Sequence, residues 1–435
     1  MDVESVKKYF LDFYESDLLE LIQRDIELSD SNKIKTIIGC RRCGKTYRLF
    51  GKINALIENN VSKKQIIYLN FENVYLRELK YAEIHKLIEI YYSIFPESIN
   101  KKLHLFIDEP QVIDGWENAL RSLHDERKFN IYITGSSSNL LSKEIATALR
   151  GRAITYTMLT CSFKEFLKFK EFEYSENKIS SASQAKIIHY LDEYIWFGGF
   201  PEIIQTNNER DKLKILKDYF DLIIYKDIID RYKIKNSQLI RSFISYLTIS
   251  FTREISLNKY FNDKKSQGLK LSKNILYEYF SVMEDCFYIH PLRRFDYSLK
   301  NQDKSFPKIY LNDIGFINLY SLEDTGKRIE NIVFLELRRM QNDNAAMRIH
   351  YWKSRDGKET DFIISEGKKI TEIIQVCQDL SNVETKNREI NSLLAALDYF
   401  NKNSGTIIVQ NGNSQSLQIA NKIITVIPLW RWLIK

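Results

Sequence analysis

Gly39-Cys40-Arg41-Arg42-Cys43-Gly44-Lys45-Thr46 follows the apolar run Ile34–Ile38 and opens a helical pattern. The octapeptide satisfies G-x-x-x-x-G-K-[ST], and a strand before it and a helix after it are the context this phosphate-binding loop requires. Gly39 and Gly44 let the backbone bend so that loop N–H groups point at phosphate oxygens. In that reading Lys45 sets its ammonium against the β- and γ-phosphates, and Thr46 gives a hydroxyl to Mg²⁺. ATP and Mg²⁺ are therefore the expected ligands of residues 39–46.

Short apolar runs recur outward from the loop, at 66–71, 103–107, 131–134 and 153–158, mostly separated by helical patterns. That alternation predicts an α/β domain with a parallel sheet covered on both faces, over about residues 30–165. The run Leu103–Ile107 ends in Asp108-Glu109, about 60 residues after the loop. At a strand end Asp108 is placed to hold Mg²⁺, and Glu109 to orient and deprotonate the attacking water. The intervening strand and the second acid are features of the additional-strand class of P-loop ATPases.

Three further features bear on the site. Thr134-Gly135-Ser136-Ser137-Ser138 ends a strand, and small hydroxyls there, Ser136 foremost, either sense the γ-phosphate or form a plain turn. Arg150 and Arg152 offer an arginine finger, in cis or across a subunit interface, against the alternative of surface ion pairs. Cys40 and Cys43 form a C-x-x-C inside the loop, which reads as unconstrained positions or as redox control.

Composition sets the class. The 64 Lys+Arg against 57 Asp+Glu leave a net charge of +7, compatible with nucleic acid without demonstrating it. With 44% hydrophobic residues and only 15 Gly and 6 Pro, the chain reads as folded, with little loose linker. Five Cys in 435 residues do not make a disulfide framework, so a reducing compartment, the cytoplasm, is expected. No run approaches a membrane span or a signal peptide, so no membrane partner is expected.

The ordered set Leu105–Gln111, Gly115-Trp116-Glu117, Ile133–Ser138, Leu149–Arg152, Ser162–Phe166 and Gly198-Gly199-Phe200-Pro201-Glu202 resembles one prokaryotic group. These are AAA-type P-loop ATPases with a C-terminal domain of unknown function related to PD-(D/E)xK nucleases. Cys40 and Cys43 stand where that group often has Pro and Val. The resemblance implies an α/β fold class: a P-loop NTPase parallel sheet with helical lid, a winged-helix-like middle domain and an α/β nuclease-like C-terminal domain. The corresponding divisions are 1–30, an N-terminal helical segment; 31–170, the ATPase core; 171–230, the lid; 231–325, the winged-helix-like domain; and 326–435, the nuclease-like domain.

Residues 253–312 also read independently as helix, loop, helix and β-hairpin. Ser272 is the expected N-cap of a helix from Lys273 to about Glu284. Lys264, Lys265, Lys270 and Lys273 at its approach, with Arg293, Arg294, Lys300, Lys304 and Lys308 around the wing, suit contacts to duplex DNA. Interspersed acids leave a protein-docking surface as the alternative.

A PD-(D/E)xK site needs a helix Glu, a strand Asp and a following (D/E)-x-Lys to hold Mg²⁺ and activate water. Glu330, Asp361 and Gln375 trace that pattern, but Cys377 stands where the Lys belongs. The transition-state charge then lacks its cation, and a degenerate fold kept for binding is the expectation. Taken together, the sequence predicts a Mg²⁺-dependent ATPase whose nucleotide state controls a DNA- or partner-binding module. The rivals are a switch acting on protein partners without DNA, with a homo-oligomer also possible, and an ATP-regulated nuclease.

Overall fold

The computed structural model describes the 435-residue chain except residues 77–78, 137–148, 150, 176–178 and 270. It divides into two compact units, Met1–Met158 and Leu159–Lys435.

The first unit runs α1 (Val3–Glu15), β1 (Ile34–Ile38), α2 (Lys45–Glu58), β2 (Ile66–Asn70), α3 (Ile84–Ile94), β3 (Leu103–Asp108), α4 (Trp116–Asp125), β4 (Phe129–Gly135) and β5 (Ala153–Thr157). The five strands form one sheet in the order β2-β3-β4-β1-β5. All four pairings are parallel. Every residue of β1 is buried, the continuous burial expected of a parallel strand covered on both faces. Because β4 is inserted between β1 and β3, the phosphate-loop strand and the acidic strand are one strand apart. Their C-terminal ends, Ile38, Asp108 and Gly135, gather at one edge, where ligands bind in open α/β sheets.

The helical expectation for residues 1–30 holds only through Glu15. Residues 16–30 carry no regular helix or strand. Asn54 Nδ2 donates to the Leu19 carbonyl at 2.8 Å, and the Arg48 guanidinium donates to the Ile26 carbonyl at 2.7 and 3.0 Å. A continued helix would have consumed those carbonyls internally.

The second unit opens with α5 (Phe163–Phe169), α6 (Ser181–Phe197), α7 (Pro201–Gln205), α8 (Glu209–Leu222) and a π-helical stretch, Ile223–Asp230. Three helices follow, α9 (Ser237–Ile249), α10 (Leu257–Ser266) and α11 (Lys273–Asp285), then the antiparallel pair β6 (Ile289–Leu292) and β7 (Lys308–Leu311) with α12 (Leu299–Lys304) between them. A bridge from Glu254 to Lys308 adds a third edge to that hairpin. Ser272 caps α11, its Oγ accepting from the Ile275 N–H.

The chain ends with α13 (Thr325–Asp343), β8 (Met347–Lys353), β9 (Glu359–Glu366), β10 (Lys369–Cys377), α14 (Val383–Tyr399), β11 (Ser404–Val409), β12 (Gln415–Ile419), β13 (Lys422–Pro428) and α15 (Leu429–Leu433). Its six strands make a mixed sheet in the order β12-β13-β11-β10-β9-β8. Trp352, Ile363, Ile373, Leu393 and Ile407 anchor an apolar core between sheet and α14. Among the described residues, no helix is long and apolar enough to cross a membrane.

Candidate active site

The phosphate loop is shaped by local constraint. Gly44 lies at φ 101°, in the region that favours glycine. At Gly39 the constraint is space, since an added Cβ would stand 2.1 Å from the Met158 carbonyl oxygen. The Gly39 N–H donates to the Gly135 carbonyl at 3.3 Å, tying the loop to the end of β4. Cys40 and Cys43 are both buried, and all five cysteines are free thiols. Burial opposes ionisation of Cys43, but a hydrogen bond with Cys40 and the charges of Lys45 and Arg24 bring its thiol down to about 6.

Lys45 opens α2 and is buried. Its Nζ donates to the Cys40 carbonyl at 2.9 Å and lies 3.8 Å from Glu109 Oε1. Burial works against the ammonium, yet Cys43, Glu109, Cys40 and Asp108 outweigh it and hold the Lys45 pKa above its ordinary value. Arg41 pairs with Glu72 at 3.7 Å, and Arg42 has φ 67°.

Asp108 ends β3 beside Thr46. The Thr46 hydroxyl donates to Asp108 Oδ2 at 2.7 Å, Tyr68 donates to the same oxygen at 3.3 Å, and the Thr134 hydroxyl donates to Oδ1. Burial pushes the Asp108 carboxyl up while the Thr134 and Thr46 donors pull it back, for a net rise. Glu109 has φ 53°, strained for a residue with a side chain. Its Oε2 accepts from the Ser136 N–H at 3.2 Å and from Gln111 Nε2. The structure thus brings Lys45, Thr46, Asp108, Glu109 and Ser136 to one strand edge. A hydroxyl and a carboxylate in contact are hard oxygen donors, a set that fits Mg²⁺ kept largely hydrated and shared with phosphate. Thr46 and Asp108 would hold it.

For Arg152 the structure shows the ion-pair alternative. Arg152 pairs through Nε and Nη2 with Asp125 at 2.8 and 3.1 Å. Its carbonyl accepts from the Ile34 N–H at the start of β1, whereas the phosphate loop follows the other end of that strand. Arg152 is therefore remote from its own chain's phosphate loop. Arg150, Ser137 and Ser138 lie outside the described residues. Sequence reasoning missed Tyr68 and Gln111, which support the two acids, and Arg24, which donates to the Cys43 carbonyl. Tyr68 sits in an apolar strand and Arg24 in a segment read as helix, so neither carried a signal.

In the second unit, Gly198-Gly199 form a packing lock. Gly198 has φ 76°, and a Cβ there would stand 1.9 Å from Asp313 Oδ1. Asp313 accepts from the Gly199 and Gly315 N–H groups, each at 2.8 Å. Around the hairpin, Lys265, Lys273, Lys300 and Lys304 are exposed and Lys264 and Arg294 half-buried, while Arg293 donates to the Asp303 carbonyl at 3.2 Å. Lys270 lies outside the described residues. Lys308 departs from the expected basic surface, being 3% exposed and turned toward the acids of the C-terminal sheet.

Those acids include two of the expected nuclease-like residues, and the third lies beside them. Lys308 reaches Glu330 on α13 and Asp361 on β9 at 3.1 and 3.2 Å. Gln375 Oε1 accepts from the Asp361 N–H at 3.4 Å, and its Nε2 donates to Glu389 at 2.6 Å. Burial and the Glu330 charge push the Asp361 carboxyl up to about 8. Cys377 is a buried thiol at the edge of the apolar core.

An AAA domain matches residues 31–167, and domains of unknown function match 188–326 (DUF8612) and 325–432 (DUF4143). A protein of Methanocaldococcus jannaschii, "Uncharacterized protein MJ1544", is 38% identical over 423 residues, covering 95% of this chain and 91% of its own length. This chain belongs to the same family as that protein. An "Uncharacterized protein" of Haemophilus influenzae, 30% identical over 387 residues, covers 88% of this chain and 90% of its own. The AAA domain supports ATP binding and hydrolysis in general terms.

Among solved structures, AMPPCP-bound DnaA from Aquifex aeolicus aligns at 14% identity and a TM-score of 0.22, over 65% of this chain and 86% of its own. A DNA polymerase III gamma-subunit-related protein from Thermotoga maritima aligns at 10% identity and a TM-score of 0.24, over 79% of this chain and all of its own (100%). Likenesses of that size carry no argument about the AAA-domain chain's activity.

Proposed function

We propose that the chain hydrolyses ATP with Glu109 as the base, and that its nucleotide state controls a DNA- or partner-binding module within residues 159–435. The observation that supports the catalytic part is the convergence of Lys45, Thr46, Asp108 and Glu109 at one strand edge. The backbone of residues 39–46 cradles the phosphates, and Lys45 exchanges the Cys40 carbonyl for phosphate oxygens. Thr46 and Asp108 would hold Mg²⁺, which would supply neutralising charge to the β- and γ-phosphates. Glu109, held by Ser136 and Gln111, aligns a water and takes its proton as the oxygen bonds to the γ-phosphorus; the bond to ADP breaks and inorganic phosphate leaves. The Lys45–Glu109 contact at 3.8 Å restrains both groups until phosphate separates them.

The partner remains a choice between DNA and protein. Lys265, Lys273, Lys300 and Lys304 favour nucleic-acid phosphate. A specific observation favours a protein partner instead: Tyr297, Leu299 and Phe306, between β6 and β7, are 72%, 74% and 51% exposed. Apolar surface gathered at one place is characteristic of protein interaction sites. Steady-state ATP turnover with and without duplex DNA, at low and physiological salt, separates the readings. Stimulation that fades with salt supports DNA; turnover indifferent to DNA removes it.

A further inference from the structure

A nuclease-like reading of residues 326–435 calls for a divalent metal on Glu330, Asp361 and Gln375. These side chains meet, but each already has partners. Glu330 Oε1 accepts from Lys308 at 3.1 Å and from the Tyr310 hydroxyl at 2.7 Å. Asp361 accepts from Lys308 through Oδ1 at 3.2 Å and from the Val376 N–H through Oδ2 at 2.9 Å. Gln375 turns its amide to the Asp361 N–H and to Glu389, and Arg388 covers the other Glu389 oxygen at 2.6 Å. Among the described residues, no set of three or more His, Cys, Asp or Glu side chains is arranged to hold a metal ion.

We infer that the ammonium of Lys308 is the resident cation of this centre and stands where a metal would, so that the C-terminal carboxylates form a lysine-locked, metal-free site. An ammonium has three N–H donors and no acceptor, and Nζ lies 3.1, 2.6 and 3.2 Å from Glu330, Glu359 and Asp361. Two of the three acids accept hydrogen bonds from it, and Glu359 completes the ring as an ion pair. A Mg²⁺-sized ion sits about 2.0–2.1 Å from its oxygens, so it and this ammonium cannot share the space between Glu330 and Asp361. The lysine comes from outside the C-terminal sheet, on β7, which also supplies Tyr310. The hairpin therefore locks the site, and a metal would have to displace it.

Access is not the obstacle. A cavity of about 600 Å³ opens onto the centre and is lined by Glu330, Asp361, Gln375, Arg388 and Glu389 among others. A solvent ion reaching these groups would meet the Lys308 ammonium already bound between Glu330 and Asp361, and removing it would leave the buried acids without their cation. This inference is independent of the proposed ATPase chemistry.

The test is Mn²⁺ titration of the nucleotide-free full chain by calorimetry, with thermal midpoints measured alongside. Wild type and Asp361→Asn should take up Mn²⁺ equally, because any uptake belongs to the phosphate loop. Lys308→Met should gain one further equivalent and a Mn²⁺-dependent rise in midpoint, both lost in Lys308→Met/Asp361→Asn. A Mn²⁺ equivalent in wild type that Asp361→Asn abolishes would overturn the inference, and so would folded Lys308→Met that gains none. Should Lys308→Met fail to fold, the comparison of wild type with Asp361→Asn still decides the matter.

Discussion

Replacing Glu109 with Gln isolates the proposed base. The amide keeps the side chain's shape and an acceptor oxygen for the Ser136 N–H, which lies 3.2 Å from Oε2, so the local fold should persist. The ability to take a proton from water is what disappears. General-base catalysis contributes roughly 10²–10⁴-fold, which at about 1.36 kcal/mol per decade is about 3–5 kcal/mol of transition-state stabilisation. Nucleotide binding should move the other way or not at all. Lys45, 3.8 Å from Glu109 Oε1, loses a competing anion and is freer to meet phosphate. The assay pairs steady-state phosphate release with equilibrium ATP binding by the purified chain. Turnover down by at least about 100-fold with ATP affinity unchanged or tighter is the expected result. A variant turning over within a few-fold of wild type would refute the assignment of Glu109.

Three further outcomes follow from named contacts. Asp108→Asn removes the charge between Thr46 and Thr134 and should weaken apparent Mg²⁺ affinity by about 10–100-fold, read as a higher half-saturating Mg²⁺ concentration in a titration of turnover. Gly198→Ala forces a Cβ to within 1.9 Å of Asp313 Oδ1 at φ 76°; left-handed strain and overpacking together should cost about 2–5 kcal/mol, seen as an earlier denaturant midpoint. Asp361, raised from 3.8 to about 8, holds its proton more tightly folded than unfolded. Its contribution to stability is therefore full below pH 3.8 and is lost as pH rises through about 8, at most about 1.36 kcal/mol per pH unit. Chemical denaturation across that range should show the decline, and Asp361→Asn should flatten it.

The first unit was largely legible in the sequence. Fully buried parallel strands such as Ile34–Ile38 advertise themselves as continuous apolar runs, and the phosphate loop and Asp108-Glu109 are read from spacing along the chain. The order β2-β3-β4-β1-β5 comes from the structure alone. What escaped was set by contacts between distant residues. Lys308 looked like one more cation of a basic wing, because nothing near it in sequence reveals partners 22 and 53 residues away. The reason for glycine at 198 lies in Asp313, and at 199 in the Cys161 carbonyl, 2.5 Å from where a Cβ would stand. Residues 16–30 carried helical spacing, but side chains of α2 claim their carbonyls. The sequence pattern also missed β12 and β13. β12 is polar and largely exposed, so it carries no alternating apolar signal.

The most direct test of the central claim is Mg²⁺-dependent phosphate release from ATP by the purified wild-type chain, measured beside Lys45→Ala. The account predicts turnover that requires Mg²⁺ and falls to background in the variant. ATP hydrolysis that is absent under every metal condition, or that survives undiminished in Lys45→Ala, would contradict it.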